Sequence, residues 1–174
     1  MVRSLTPEDR CSFKLTATDV TEMRRANHND VPLLVSLMAE FYAEADYPLN
    51  HEAAASAFAA LIADQRLGHI WVIQEQNLDV GHVVVCLRFA MEYGGVVACL
   101  DDLYVRGSSR NRGLAGTALR ELRRFCEMSG IRAITVEVGE DNAPAQAVYR
   151  RAGFEEAAGR QVLALGLATP THVL

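Results

Sequence analysis

The sequence predicts a single α/β domain, built on a mixed sheet with helices on both faces. Three observations carry this expectation. The 174 residues, half of them hydrophobic and 22% charged, suit one domain with a sizeable core. Apolar periodicity alternates between strand-like and helix-like spacing, in the order β-α-α-β-β-β-α-β-α-β-β. Glycine, asparagine and aspartate mark the switches, and no repeat, low-complexity tract or linker divides the chain.

Taken in order, residues 1–18 are polar and poorly periodic and read as a flexible extension, leaving 19–174 as the domain. Thr21–Ala26 reads as a first strand. Asn29 and Asp30 can cap a helix with Pro32 in its first turn, and Leu33, Leu34, Leu37, Met38 and Phe41 form its apolar stripe. That helix should end near Ala45, with a loop over Asp46–Asn50. Alanine-rich His51–Gln65 is a second helix, with Phe58, Leu61 and Ile62 inward. Gly68 stops it, and His69–Ile73 is a strand. A turn at Asn77–Asp79 leads into the valine-rich strand Val80–Phe89. Glu92–Gly95 turns the chain into Val96–Val105. A helix over 113–129 stops at Gly130. Ile131–Val138 is a strand, Asn142–Ala152 a helix, and a last pair of strands runs through Leu167.

Composition narrows the function. The net charge of −5 speaks against nucleic acid or an anionic membrane as main partner, and mildly favours a cationic substrate. No apolar run approaches the roughly 18 residues of a membrane helix, and the N-terminus lacks the apolar core of a signal peptide. Cys11, Cys86, Cys99 and Cys126 show no C-x-x-C spacing, which reads as free, mostly buried thiols in a reducing cytoplasm. The five histidines are scattered without ligand spacing, so no metal is expected.

The chemistry concentrates in Leu100–Leu119. A strand carries Asp101 and Asp102, finishes with Leu103, Tyr104 and Val105, and breaks at Gly107-Ser108-Ser109. Arg110 to Gly116 then opens a helix bearing Leu114, Ala118, Leu119 and Leu122. The first amides of a helix lack intrahelical partners and stand at the positive end of its dipole. Gly113 and Gly116 would let a diphosphate approach the backbone, and Arg110 and Arg112 add positive charge. The spacing is neither a P-loop nor G-x-G-x-x-G. On these residues alone, a solvated basic cap with glycines for packing serves equally well.

Arg110-x-x-Gly113-x-Ala115 also resembles the Arg/Gln-x-x-Gly-x-Gly/Ala signature of the GNAT superfamily of acyl-CoA N-acyltransferases. Asn142-x-x-Ala145-x-x-x-Tyr149-x-x-x-Gly153-Phe154 resembles the helix which that superfamily places next. The resemblance spans about residues 93–160. It implies a mixed, mostly antiparallel sheet, acetyl-CoA as acyl donor, and a cofactor lying in a gap between two splayed strands. By the same resemblance, backbone groups of Leu103, Tyr104 and Val105 meet the pantetheine arm. Asn111, Arg112, Gly113, Leu114, Ala115 and Gly116 hold the diphosphate, and Asn142 and Ala145 lie near the pantetheine. Tyr149 matches the tyrosine cast as proton donor to the departing thiolate; otherwise it is a core aromatic.

Acyl transfer to an amine needs a neutral nitrogen, and a carboxylate can take its proton directly or through water. Asp101 and Asp102 resemble the Leu-Glu-Asp or Asp-Glu that precedes the cofactor strand in small-amine acetyltransferases. Both are aspartate here, one methylene shorter than glutamate, which favours a water relay. Neighbouring strand residues point to opposite faces unless a bulge intervenes. Asp101 is the favoured base; alternatively, either acid simply caps the strand end. Tyr42, Asp46, Tyr47, Glu92 and Glu137 are the candidates for receiving an ammonium group by ion pairing and cation–π contact. The expected reaction is acetylation of a primary amine on a small cationic molecule, such as a polyamine or an amino sugar. Acetylation of a protein lysine or N-terminus, and a non-catalytic acyl-CoA sensor, are the alternatives. A homodimer is an expectation of the resemblance alone.

Overall fold

Along the chain run β1 (Thr21–Arg25), α1 (Val31–Glu44), α2 (His51–Ala63), β2 (Gly68–Glu75), β3 (Leu78–Ala90), β4 (Gly95–Val105), α3 (Leu114–Met128), β5 (Ile134–Val136) and α4 (Ala143–Arg151). They are taken from a computed structural model that describes residues 21–157, Leu163 and Leu165. The strands lie in the order β1-β2-β3-β4-β5. The first three pairings are antiparallel, and β4 pairs with β5 in parallel across the α3 crossover.

Strand alternation decides which helices cover which face. Trp71, Ile73, Val83, Val85, Ala98 and Leu100 point one way and pack on Leu114, Ala118, Leu119 and Leu122 of α3. Val148 and Tyr149 of α4 lean on the same cluster. The intervening Ile70, Val72 and Val84 point the other way, onto Leu34 of α1 and Phe58 of α2. Burial of each such leucine or phenylalanine is worth about 1.5–3 kcal/mol, so these two layers hold the sheet flat between them.

Of the two expected caps, Asp30 is the N-cap of α1, though its side chain makes no capping bond to that helix. Asn27 opens a short 3-10 turn, its Oδ1 accepting from the Asn29 amide at 3.0 Å, and the Asp30 carboxylate accepts from the Asn27 amide at 2.8 Å. The same carboxylate receives the Arg24 guanidinium in a fork, at 2.9 and 2.8 Å, which ties β1 to α1. α2 is capped by the Asn50 side chain and ends two residues early, at Ala63, with Asp64 as its C-cap. The β2–β3 turn is Gln76-Asn77, both left-handed at φ 51° and 66°, so Leu78 and Asp79 belong to β3 rather than to a loop.

The strand expected over 131–138 contracts to Ile134–Val136, because its pairing with β4 ends at Leu100–Val136. Beyond that point the two strands part. The extension over 1–18, with Cys11, lies outside the described residues, as does the greater part of the last strand pair.

Candidate active site

The site grows from an irregularity in β4. Val84 pairs with Asp102 and Val85 with Leu100, leaving Asp101 as an extra residue in a β-bulge. The bulge resets the alternation. Leu100 and Leu103 both face the α3 layer, while Asp102 and Tyr104 share the α1 and α2 face with Val84. The bulge sits where β5 leaves β4, so both aspartates stand at the opening between the strands.

Their electrostatic neighbours come from four elements. The phenol of Tyr42, on α1, is raised by burial and by the charges of Asp102 and Asp101. The phenol of Tyr149, on α4, is raised by burial and by Asp102. The Cys86 thiol of β3 is raised by burial, then by Asp101, its cross-strand neighbour Cys99, and Asp102. Asp101 opens to solvent on one side, yet partial desolvation and the like charges of Asp102 and Glu137 hold its carboxyl above an ordinary aspartate. Tyr149 packs on Phe154, with ring centroids 5.5 Å apart, so it is a core aromatic and a cleft residue at once.

Tyr42, Tyr47 and Glu137 are thus brought toward the aspartates. The Tyr42 and Tyr47 rings meet edge to face at 6.1 Å, and Asp46 between them turns the chain at φ 55°. Glu92 stands apart at the β3–β4 turn, with the six residues Gly95 to Leu100, roughly 20 Å of strand, between it and Asp101.

The glycine turn has an open backbone. Gly113 is the left-handed N-cap of α3 at φ 81°, and a Cβ built there would meet nothing within 4 Å. At Gly116 the nearest atom would be Arg120 Nη1, at 3.8 Å. The helix begins with the Thr117 amide bonding to the Gly113 carbonyl, so the preceding amides of Leu114, Ala115 and Gly116 have no partner within the helix. Asn111 is also left-handed, at φ 62°. These features fit a diphosphate seated on the backbone.

The arginines fit it less directly. Arg110 Nη2 bonds Glu44 at 2.7 Å and its Nε donates to the Val105 carbonyl at 2.7 Å. Arg112 Nη1 meets Glu75 at 3.0 Å and its Nη2 donates to the Ser108 carbonyl. Both therefore brace the turn from outside. Tyr104 likewise donates to Glu44, at 3.1 Å, and burial with that carboxylate pushes its hydroxyl up to about 12. Asn142 caps α4, its Oδ1 accepting from the Ala145 amide at 3.2 Å.

Two residues escaped the sequence reading. Arg106 clasps Glu40 of α1 at 2.8 Å and the Asp79 carbonyl at 2.9 Å, holding α1 against the end of β4. His82 lies wholly buried on β3, opposite Tyr104, with Nε2 3.5 Å from Asp102 Oδ2. Its signal was present as a single polar residue inside a valine run, on the Val84 side of the strand. Among the described residues no cluster with metal-ligand composition occurs.

A family profile described as "Acetyltransferase (GNAT) family" matches residues 33–154. An uncharacterized N-acetyltransferase of Bacillus subtilis (strain 168), YhfO, is 23% identical over 140 residues, covering 79% of this chain and 91% of its own. An integron cassette protein from the mobile metagenome of Cole Harbour Salt Marsh superposes with a TM-score of 0.77 at 45% identity, over 87% of this chain and 93% of that one. The aminoglycoside N-acetyltransferase AAC(6')-Iy, solved in complex with CoA, shares the fold with a TM-score of 0.72 at 18% identity, over 86% of this chain and 97% of that one. By the profile match, which takes in the bulge, the glycine turn and Tyr149, the chain belongs to the GNAT acetyltransferase family, whose acyl donor is acetyl-CoA.

Proposed function

We propose that this protein acetylates the primary amine of a small cationic molecule. The observation that carries the reading is the concentration of acid at the cleft: Asp102 and Glu137 lie close enough to Asp101 for their charges to raise its carboxyl, and the charges of both aspartates reach Tyr42. Like charges gathered this way are relieved by a cation. Tyr42 and Tyr47 add aromatic faces suited to an ammonium group.

Acetyl-CoA supplies the activated thioester. The chain's own residues then divide the work. The free amides of Leu114, Ala115 and Gly116 and the bare backbone at Gly113 receive the diphosphate. Backbone groups of Leu103, Tyr104 and Val105 would meet the pantetheine arm, with Asn142 and Ala145 near it. One of the two aspartates, directly or through a water, takes a proton from the ammonium so that the nitrogen can attack. Tyr149 offers its hydroxyl to the sulfur as the carbon–sulfur bond breaks. An amino sugar is one fitting substrate, consistent with the shared fold of an aminoglycoside N-acetyltransferase. Free thiols at Cys86, Cys99 and Cys126 suit a reducing cytoplasm, and among the described residues no helix is long and apolar enough to cross a membrane.

The test is release of free coenzyme A from acetyl-CoA in the presence of polyamines, aminoglycosides, amino acids and lysine peptides. Turnover with a small polyamine or aminoglycoside is the expected result. Turnover with peptides alone would reassign the substrate to a protein amine. Acetyl-CoA binding without release across the panel would favour a sensing role.

A further inference from the structure

The mechanism above leaves one buried group unused. His82 has no exposed surface, and among the described residues neither of its ring nitrogens has a hydrogen-bond partner. A buried polar atom without a partner is costly, so a native chain retains one where something repays it. Its surroundings are apolar or neutral on nearly every side. Phe58 of α2 meets the ring edge to face with centroids at 6.2 Å, and Tyr104 of β4 lies at 6.0 Å. The remaining neighbour is Asp102, whose Oδ2 stands 3.5 Å from Nε2 and whose side chain is only 12% exposed. The titratable groups that face Asp102 in turn are Tyr42 of α1, Tyr149 of α4, Cys86 of β3 and the neighbouring carboxyl of Asp101.

We propose that His82 is a positioning residue of the acyl-transfer site: its Nε2–H donates to Asp102 Oδ2 and thereby makes Asp102, rather than Asp101, the base. The inference rests on the amine-acetylating reading given above. A general base must be held in one orientation to meet its proton. Asp102 is half-enclosed and backed by an imidazole, whereas the Asp101 carboxylate, among the described residues, receives no hydrogen bond and opens to solvent. With Oδ2 engaged by His82, Asp102 Oδ1 is the oxygen left for the ammonium or its relaying water. The ammonium gives one proton to that carboxylate, which passes it to solvent; the neutral nitrogen then bonds the acyl carbon, and as the carbon–sulfur bond breaks the nitrogen's second proton passes through water to the departing thiolate, leaving the amide and free coenzyme A thiol. Closing the gap from 3.5 Å to hydrogen-bond length asks only for a small tilt of either side chain.

The bulge makes this arrangement possible. Were Asp101 paired in a regular ladder, Asp102 would share the α3 face with Leu100 and turn its back on His82. Because Asp101 bulges out of the pairing, Asp102 takes the place opposite Val84, on the face of the imidazole.

The test uses the full chain and two independent readouts. In 15N NMR of the imidazole, with the resonance assigned by its loss in His82→Gln, His82 is expected to carry a proton at Nε2. Protonation at Nδ1, leaving Nε2 bare toward Asp102, overturns the proposal whether or not any amine is turned over. The second readout is the pH profile of kcat/KM with an amine identified by thiol release. A hydrogen bond to the ionised carboxylate lowers its pKa, so removing the donor must move the acidic limb to higher pH. His82→Phe is expected to shift that limb up by about one pH unit and lower the plateau about tenfold, and His82→Gln, which keeps a donor, to recover most of both. An unmoved limb, or loss of the limb in Asp101→Asn with its retention in Asp102→Asn, overturns the proposal. A chain that releases no coenzyme A with any amine counts against the reaction assigned above, and leaves the tautomer to decide the role of His82.

Discussion

In the proposed reaction one side chain, Tyr149, carries two duties. Its ring is part of the α3-layer core, and its hydroxyl is raised above an ordinary phenol by burial and by Asp102. A phenol so raised is a weaker acid than the thiol it would help to form. Its service to the leaving sulfur is therefore chiefly that of a hydrogen-bond donor, present as negative charge develops. Tyr149→Phe keeps the packing and loses the donor, so kcat should fall by about 10- to 100-fold, with acetyl-CoA affinity by calorimetry unchanged. A collapse of affinity instead would make the residue structural. Tyr149 was legible because its spacing from Asn142 and Gly153 forms a motif. His82 was not, because a lone histidine in a strand gives no sign of what lies across the sheet. Only the pairing of Val84 with Asp102 reveals its neighbour.

At the scale of elements, α3 does the anchoring, and the proposed reading gives the binding to its first turn. Leu114, Ala118, Leu119, Leu122 and Cys126 repeat at helical spacing and are buried, which fixes the helix on the sheet. The N-terminus is thereby aimed along the end of β4 with its amides unspent. Gly113→Val would force a β-branched residue into φ 81° and fill the open space that a Cβ there would occupy. Acetyl-CoA binding, by calorimetry, should weaken at least tenfold, while far-UV circular dichroism remains close to the parent. Unchanged binding would refute the backbone cradle. Helix α3 could be read almost to the residue because amphipathy and glycine agree. The strand after it was read too long, since Ile131–Val138 is apolar enough for a strand but runs out of a partner at Val136. The β4 bulge was equally invisible: no residue type marks an insertion, which exists only relative to the opposite strand.

For the whole molecule, charge is the property the sequence conveyed most directly. The net −5 and the acids at the cleft act in the same direction on a cationic substrate. Raising sodium chloride from about 0.05 to 0.5 M shortens the Debye length several-fold, and KM for a polycationic amine should rise several-fold with it. A salt-independent KM would mean that recognition rests on contacts other than this field. The order of elements and the two-sided layering were likewise readable, since each strand's alternation assigns a helix to each face.

The parting of β4 and β5 has a consequence for the sheet itself. From Asp102 to Val105, β4 is paired with β3 on one side, and among the described residues no strand pairs with it on the other, so a length of strand edge lies open there. An open edge elsewhere invites a neighbouring chain to pair with it. In the reading proposed above the guest is acetyl-CoA, whose pantetheine arm carries amides of its own and would take the place of a strand along that edge. Loading should accordingly slow amide exchange along Leu103–Val105 and raise the melting temperature in proportion to ligand excess, as for any ligand that binds only the folded state.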